Sequence, residues 1–315
     1  MGTQDNDQER RALYAQLIWP ALPRAELSLG LRRAAVENDL RDRPLFGSGV
    51  PDDADLDDEA TAAAVGLAVE NGALRHLLRY TTHYRFPKVD EHTASAVVPD
   101  WLTGERGDPL RTQTGRSLEL GVEYRARAAF ARFMLYRLEL DDQIVYDPGR
   151  FMNINLEAAR HDGALFALQR RLGEDWRLDL DAAWLDARQS AGPNAGRKVP
   201  LAAPRSARLA LTWTPDGATD VQLAGRWVDE RPVGGDVDNS QPPLPAHTVF
   251  DLHLERRFGP VFAALTVRNL GDERYSEMAA ETLLFDPITF AATETTGFYP
   301  APARSLFLEI GTRWP

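Results

Sequence analysis

The stretch Ser117-Leu-Glu-Leu-Gly-Val-Glu-Tyr-Arg-Ala-Arg127 decides the fold. Leu118, Leu120, Val122, Tyr124 and Ala126 fall on one side of an extended chain, while Glu119, Gly121, Glu123, Arg125 and Arg127 fall on the other, because successive side chains of a β-strand point to opposite faces. A helix would scatter both sets around its circumference. The same period continues through Trp176, Leu178, Leu180, Ala182 and Trp184, set against Arg177, Asp179 and Asp181. It recurs in Ala207, Leu209, Leu211 and Trp213, then in Val221, Leu223, Gly225 and Trp227, and last in Leu306, Leu308, Ile310, Thr312 and Trp314. By this test thirteen strands are expected, over 11–19, 25–37, 61–70, 73–85, 118–127, 130–146, 153–170, 175–190, 205–214, 219–230, 247–257, 261–273 and 304–313. Sustained helical periodicity is absent.

Most of these segments are longer than the ~5–6 residues usual for soluble strands and match the ~9–11 that a tilted membrane strand needs. The fold class is therefore expected to be all-β, an antiparallel transmembrane β-barrel with an apolar outer face and a polar lumen. Alternation alone leaves a soluble β-sandwich open. The connections alternate in length. Short ones at Pro20–Arg24, Asn71-Gly72, Ala128-Ala129, Arg171–Glu174, Pro215–Ala218 and Phe258–Pro260 separate longer ones at Asn38–Ala60, Phe86–Ser117, Asp147–Met152, Ala191–Pro204, Arg231–Ala246 and Arg274–Ala303. Tight turns on the periplasmic side and long loops outside are what an outer-membrane barrel shows. Trp19, Trp176, Trp213 and Trp314 sit beside short turns or the C-terminal end, as an aromatic girdle at a membrane boundary requires. Counting back from Trp314, thirteen strands put the start of segment 11–19 on the extracellular side, whereas a complete single-chain barrel has an even number of strands. An odd number is expected to be missing. Residues 1–10 are expected as a loop remnant or disordered N-terminus, and 11–315 as part of a barrel.

Composition narrows the function. The 315 residues carry 36 basic and 47 acidic side chains, a net charge of −11, and the pI near 5.1 argues against nucleic acid as a partner. With no cysteine, disulfides, thiolate catalysis and Cys-ligated metals are excluded. No apolar run approaches the ~18 residues of a membrane-spanning helix, and the first residues show no secretory signal.

Several short motifs, in order, resemble the C-terminal half of the TonB-dependent outer-membrane receptors. Arg11-Ala-Leu-Tyr-Ala-Gln16 and Leu29-Gly-Leu-Arg32 look like paired middle strands of that barrel, and Tyr84-Arg-Phe-Pro87 with Asp90-Glu91 resembles the family's Phe-Arg-x-Pro segment and trailing acid. Ser117–Gly121 resembles its Glu-x-Gly strand, and Asp141–Ile144, Asn153–Asn155 and Ala159–Gly163 match its Asp-x-Ile, Asn and Gly positions. Lys198–Leu201, Val267–Leu270 with Tyr275, and Phe298–Pro300 with Arg304-Ser305 resemble the remaining signatures. The resemblance implies about thirteen C-terminal strands of a barrel of about 22, with no signal peptide, TonB-contacting box or plug in this chain. Family members end in an aromatic residue read by the outer-membrane insertion machinery, with alternate apolar residues before it. Here Leu306, Leu308, Ile310, Thr312 and Trp314 supply that pattern, with Pro315 one residue beyond.

Candidate sites follow. The acidic run Asp52–Glu59 is expected as a solvated loop, with cation contact as its alternative. The segment 38–60 holds eight acids and two Arg, a net of −6 out of −11. None of the six histidines has metal-ligand spacing. His92 lies between Tyr84–Pro87 and Asp108-Pro-Leu110, where haem-uptake receptors of the resembled family carry a histidine. Trp101, Arg106, Arg231, Phe285, Phe298 and Tyr299, all in long loops, are candidates to grip an anionic, aromatic ligand through charge and stacking. No catalytic motif or cofactor fingerprint appears, and paired acids such as Asp179 and Asp181 are expected to bridge to Arg177 rather than do acid–base work.

The resemblance implies a receptor that imports a ferric siderophore or cobalamin with energy delivered by TonB, in contact with outer-membrane lipid and with no enzymatic activity. Haem uptake, a passive porin and a structural barrel are the alternatives.

Overall fold

The structure, a computed structural model, describes residues 3–43, 52–92, 109–147, 152–285 and 292–313. Its strands are β1 (Thr3–Leu22), β2 (Ala25–Arg43), β3 (Asp52–Asn71), β4 (Leu74–Arg85), β5 (Gln113–Ala126), β6 (Ala129–Asp147), β7 (Met152–Leu172) and β8 (Trp176–Gln189). They continue as β9 (Arg205–Trp213), β10 (Thr219–Val228), β11 (His247–Phe258), β12 (Val261–Arg268), β13 (Ser276–Phe285), β14 (Ala292–Pro300) and β15 (Ser305–Thr312). A single helical turn, α1 (Val89–His92), follows β4.

Thirteen strands form one antiparallel sheet in the order β1 to β12 followed by β15, and β13 pairs with β14 in a separate hairpin. Every neighbour in the large sheet except β12–β15 is also the neighbour in sequence, the meander expected of a barrel wall. The register lines up apolar side chains across it. Leu27 faces Leu67, Leu67 faces Leu78, Leu78 faces Leu120, Leu120 faces Leu135 and Leu135 faces Ala164. These residues share one face of the sheet, and Leu67, Leu78, Leu120 and Leu135 are between 40% and 56% exposed. So large an uncovered apolar surface has no place in water, where contiguous patches seldom exceed a few hundred Å². A sandwich would cover it with a second sheet of similar size; among the described residues the only other sheet is the β13–β14 hairpin.

The opposite face is polar and internally bonded. Thr81 and Ser117 share a hydrogen bond of 2.8 Å, and the His83 Nε2 lies 3.0 Å from the same Ser117 hydroxyl. Glu123, buried between strands, pairs with Arg125 at 2.8 Å and with Arg132. Its charge is satisfied in place, which a buried carboxylate requires. Gly163 lies under the Tyr136 ring, so that a Cβ at this position would run into the aromatic carbons.

Three expectations need correction. Residues 3–10 are strand rather than a loop remnant or disordered terminus, since β1 begins at Thr3 and pairs with β2 from Thr3↔Arg43 onward. The acidic run Asp52–Glu59 is not a solvated loop. It forms the first part of β3, paired in register with β2 from Asp42↔Asp52. Two of its acids meet cations across the strands, Arg41 to Asp55 at 3.3 Å and Arg33 to Glu59 at 2.6 Å, and such cross-strand pairs offset the poor strand propensity of Asp. The long connection 274–303, expected as loop, contains the β13–β14 hairpin. Short and long connections nevertheless alternate as expected, from residues 23–24 and 72–73 at one end of the sheet to 190–204 and 229–246 at the other.

Candidate ligand-binding face at the long-loop end

Beyond β4 the chain turns across the polar face of the sheet. Phe86, 8% exposed, packs on Ala34 and Val36 of β2, and Tyr84 joins them with its ring 5.1 Å from that of Phe86. Pro87 ends the strand, since it cannot donate to a ladder. The turn carries α1 inward, and the Arg85 guanidinium pairs with Glu91, whose carboxylate also accepts from the Lys88 backbone N–H at 2.9 Å.

His92 ends α1 and is only 3% exposed. Burial lowers its pKa against the opposing pull of Glu91 and Asp58, so the ring is held neutral. It lines a cleft of about 640 Å³ together with Asp57, Asp58, Glu59 and Leu110. This cleft is acidic, and a ligand with carboxylate arms would meet like charge in it.

A second cleft, of about 440 Å³, opens between β1, β2 and β4. Arg10, Arg32, His83, Arg85 and Lys88 line it over a floor that includes Ala34 and Phe86. Register explains the gathering. Arg10 faces Val36 across β1 and β2, Arg32 lies one strand step below Ala34 on the same face, and His83 and Arg85 alternate onto it from β4.

The third feature lies between β10 and β11. Arg231, 7% exposed, donates from Nη2 to the Glu277 carbonyl at 2.5 Å, while Arg226 donates to the Glu277 carboxylate at 2.8 Å. Burial first, and then the Arg226 charge, lowers the Arg231 pKa. His247 stacks on Tyr275 with ring centroids 4.4 Å apart. Val233, Leu244 and Ala279 are buried together beside them, so the hairpin and the 229–246 connection pack as one unit. Arg231 thus pins the hairpin rather than reaching into an open space.

Phe298 and Tyr299 project from β14 on opposite faces, 56% and 59% exposed. Phe285 closes β13, and Trp101 and Arg106 lie outside the described residues. Leu306, Leu308 and Ile310 alternate along β15 on the apolar face, opposite Val267, Leu265 and Ala263, with Thr312 opposite Val261; Trp314 lies outside the described residues. Among the described residues the candidates therefore do not converge on one point. The basic cleft escaped sequence reasoning because Arg10, Arg32 and Lys88 are far apart in the chain and only strand register joins them. No group of three or more potential metal ligands occurs among the described residues.

A one-layer antiparallel wall with one uncovered apolar face, one polar face and loops gathered at one end defines a β-barrel of the membrane type. The family described as TonB dependent receptor-like, beta-barrel matches residues 2–270, and the chain belongs to it. Among solved structures it is similar to the siderophore receptor PiuA from Acinetobacter baumannii, at 17% identity over 98% of this chain and 43% of that one, with a TM-score of 0.75. It is similar also to the ferric yersiniabactin uptake receptor FyuA from Yersinia pestis, at 17% identity over 98% of this chain and 46% of that one, TM-score 0.76. The copper transporter OprC gives 19% identity, 97% and 47% coverage, and a TM-score of 0.76. The chain thus spans less than half the length of these proteins. No curated protein sequence matches it.

Proposed function

We propose that this chain is wall and loops of an outer-membrane receptor that imports a scarce ligand, a ferric siderophore or cobalamin, using energy delivered by TonB. The observation that carries this reading is the placement of cationic and aromatic groups at the long-loop end of the polar face, where a ligand entering a lumen from outside would arrive. Arg10, Arg32 and Lys88 in the basic cleft and, separately, Phe298 and Tyr299 on the β13–β14 hairpin offer charge and stacking surfaces. TonB contact would come from a plug, and the wall contributes capture and passage. Leu306, Leu308 and Ile310, with Thr312 and Trp314, would be read by the insertion machinery. A haem ligand role for His92 is disfavoured by the carboxylates that share its cleft.

A growth-rescue panel tests the proposal. Iron-starved cells lacking other receptors and carrying the native reading frame are expected to grow on at least one ferric siderophore, or, if auxotrophic, on cobalamin. Growth on none, with the protein present in the outer membrane, would contradict it.

A further inference from the structure

We infer that His247 is a proton-sensitive latch that keeps the β13–β14 hairpin docked on the 229–246 connection, and that acid releases the hairpin. This goes beyond the receptor reading above and does not depend on it. Hairpin and connection both stand at the end of the wall where the long connections gather, so the latch sets how that end is arranged around anything that arrives from outside.

Backbone and side chain both dock the hairpin. The Gly234 N–H donates to the Ala279 carbonyl and the Gly234 carbonyl accepts from the Glu281 N–H, each at 2.7 Å, while the Arg231 guanidinium reaches the Glu277 carbonyl. The connection itself is anchored on its other side. There the Asn239 amide exchanges hydrogen bonds of 2.7 and 3.0 Å with the Lys198 backbone, and the Leu201 N–H reaches the Pro232 carbonyl at 2.9 Å. When the contact opens, the hairpin is therefore the part that leaves.

His247 lies at the foot of this contact. It is the first residue of β11, at the long-loop end, and is 5% exposed. Its ring stacks on Tyr275, two residues before Glu277. Charged groups act on it from each neighbouring element: Arg226 from β10, Arg231 from the connection and Glu277 from β13. The nearby carboxylates are already engaged. Glu277 pairs with Arg226 at 2.8 Å, Asp229 with Arg205 at 2.7 Å, and Asp251 accepts the Asn269 N–H at 2.8 Å. An imidazolium here would add a third cation beside two guanidiniums, and neither ring nitrogen has a hydrogen-bond partner of good geometry among the described residues. Burial first, and then Arg226 and Arg231, hold the His247 pKa below its ordinary value, against the pull of the Pro245 carbonyl and Glu277. The undocked state takes up a proton that the docked state refuses. Docking is thus fully favoured above about pH 6.5 and weakens as the pH falls toward the lower, docked-state pKa.

The test uses the protein expressed from its native reading frame, purified in detergent and checked for folding by heat-modifiable migration in gels. Amide exchange of residues 231–244 and 276–285, corrected for intrinsic rates, is compared at pH 7.5 and pH 5.5, with the amides of β5 and β6 as reference. The expected result is exchange faster by roughly threefold or more in acid in both segments, with the reference unchanged. His247→Phe keeps an aromatic ring against Tyr275 but binds no proton, and it should show no acid effect. Exchange of the His247 ring C–H, followed by mass spectrometry in the unaltered protein, should titrate below the ordinary histidine value of about 6.5. Equal protection of the unaltered protein at both pH values would overturn the inference. So would an acid effect that survives in His247→Phe, the same acceleration in the reference strands, or a His247 ring that titrates at or above about 6.5.

Discussion

Trp176 and Trp213 face each other across β8 and β9, their rings nearly parallel at 22° with centroids 5.8 Å apart. Each stands beside a short connection, 173–175 for the first and 214–218 for the second, and each is about two-fifths exposed, at 41% and 39%. Paired indoles at the rim of an apolar belt are what a membrane–water boundary favours. Replacing Trp213 with Ala removes both the stacking and the rim contact. Roughly 1–2 kcal/mol of stability should be lost, seen as a lower midpoint in detergent unfolding. Trp213→Phe should recover about half of it, and an unchanged midpoint in both variants would mean the stack contributes nothing.

Gly163 is required by Tyr136, whose ring occupies the space a side chain would need. Gly163→Val should therefore destabilise the wall by roughly 1–3 kcal/mol through overpacking. Adding Tyr136→Ala to it should restore part of that loss. A double-mutant cycle with no coupling would refute the steric account.

The absence of cysteine makes face assignment measurable. Leu118, Leu120 and Val122 lie on the apolar face of β5 and Glu119 and Glu123 on the polar face. In the full receptor, without ligand, Glu119→Cys should react with a water-soluble maleimide much faster than Leu120→Cys. Equal rates would show that the apolar face is wet.

His92 gives a pH dependence. Its folded-state pKa lies below the ordinary histidine value because burial penalises the imidazolium. As pH falls below about 6.5, the opened segment binds a proton that the closed one does not, so acid favours opening. Amides of residues 86–92 should exchange faster at pH 5.5 than at pH 7.5 after correction for intrinsic rates. His92→Gln should flatten that difference, and a wild-type segment equally protected at both pH values would contradict the burial argument.

The wall was largely legible before the structure, because a strand with one apolar and one polar face writes a two-residue period into its sequence. Leu118 to Ala126 on β5 and Leu306 to Ile310 on β15 were read to the correct face. What escaped was set by partners far away in the chain. Asp55 and Glu59 looked like loop residues until the register placed Arg41 and Arg33 beside them. The hairpin β13–β14 is held by Val233 and Leu244 from a different connection, and local pattern carries no trace of that docking. For the same reason the bond from Arg231 Nη2 to the Glu277 carbonyl is not visible in the local sequence. The cation cleft needed three strands in register before it existed at all.

Energised import is the centre of the account, and one uptake measurement reaches it directly. Cells expressing the protein from its native reading frame, and lacking other iron receptors, take up an iron-55 ferric chelate that rescues their growth, with and without TonB and a protonophore. The account predicts accumulation that stops when either TonB or the proton-motive force is removed, while surface binding persists. Accumulation at the same rate without both would contradict it and identify a passive pore.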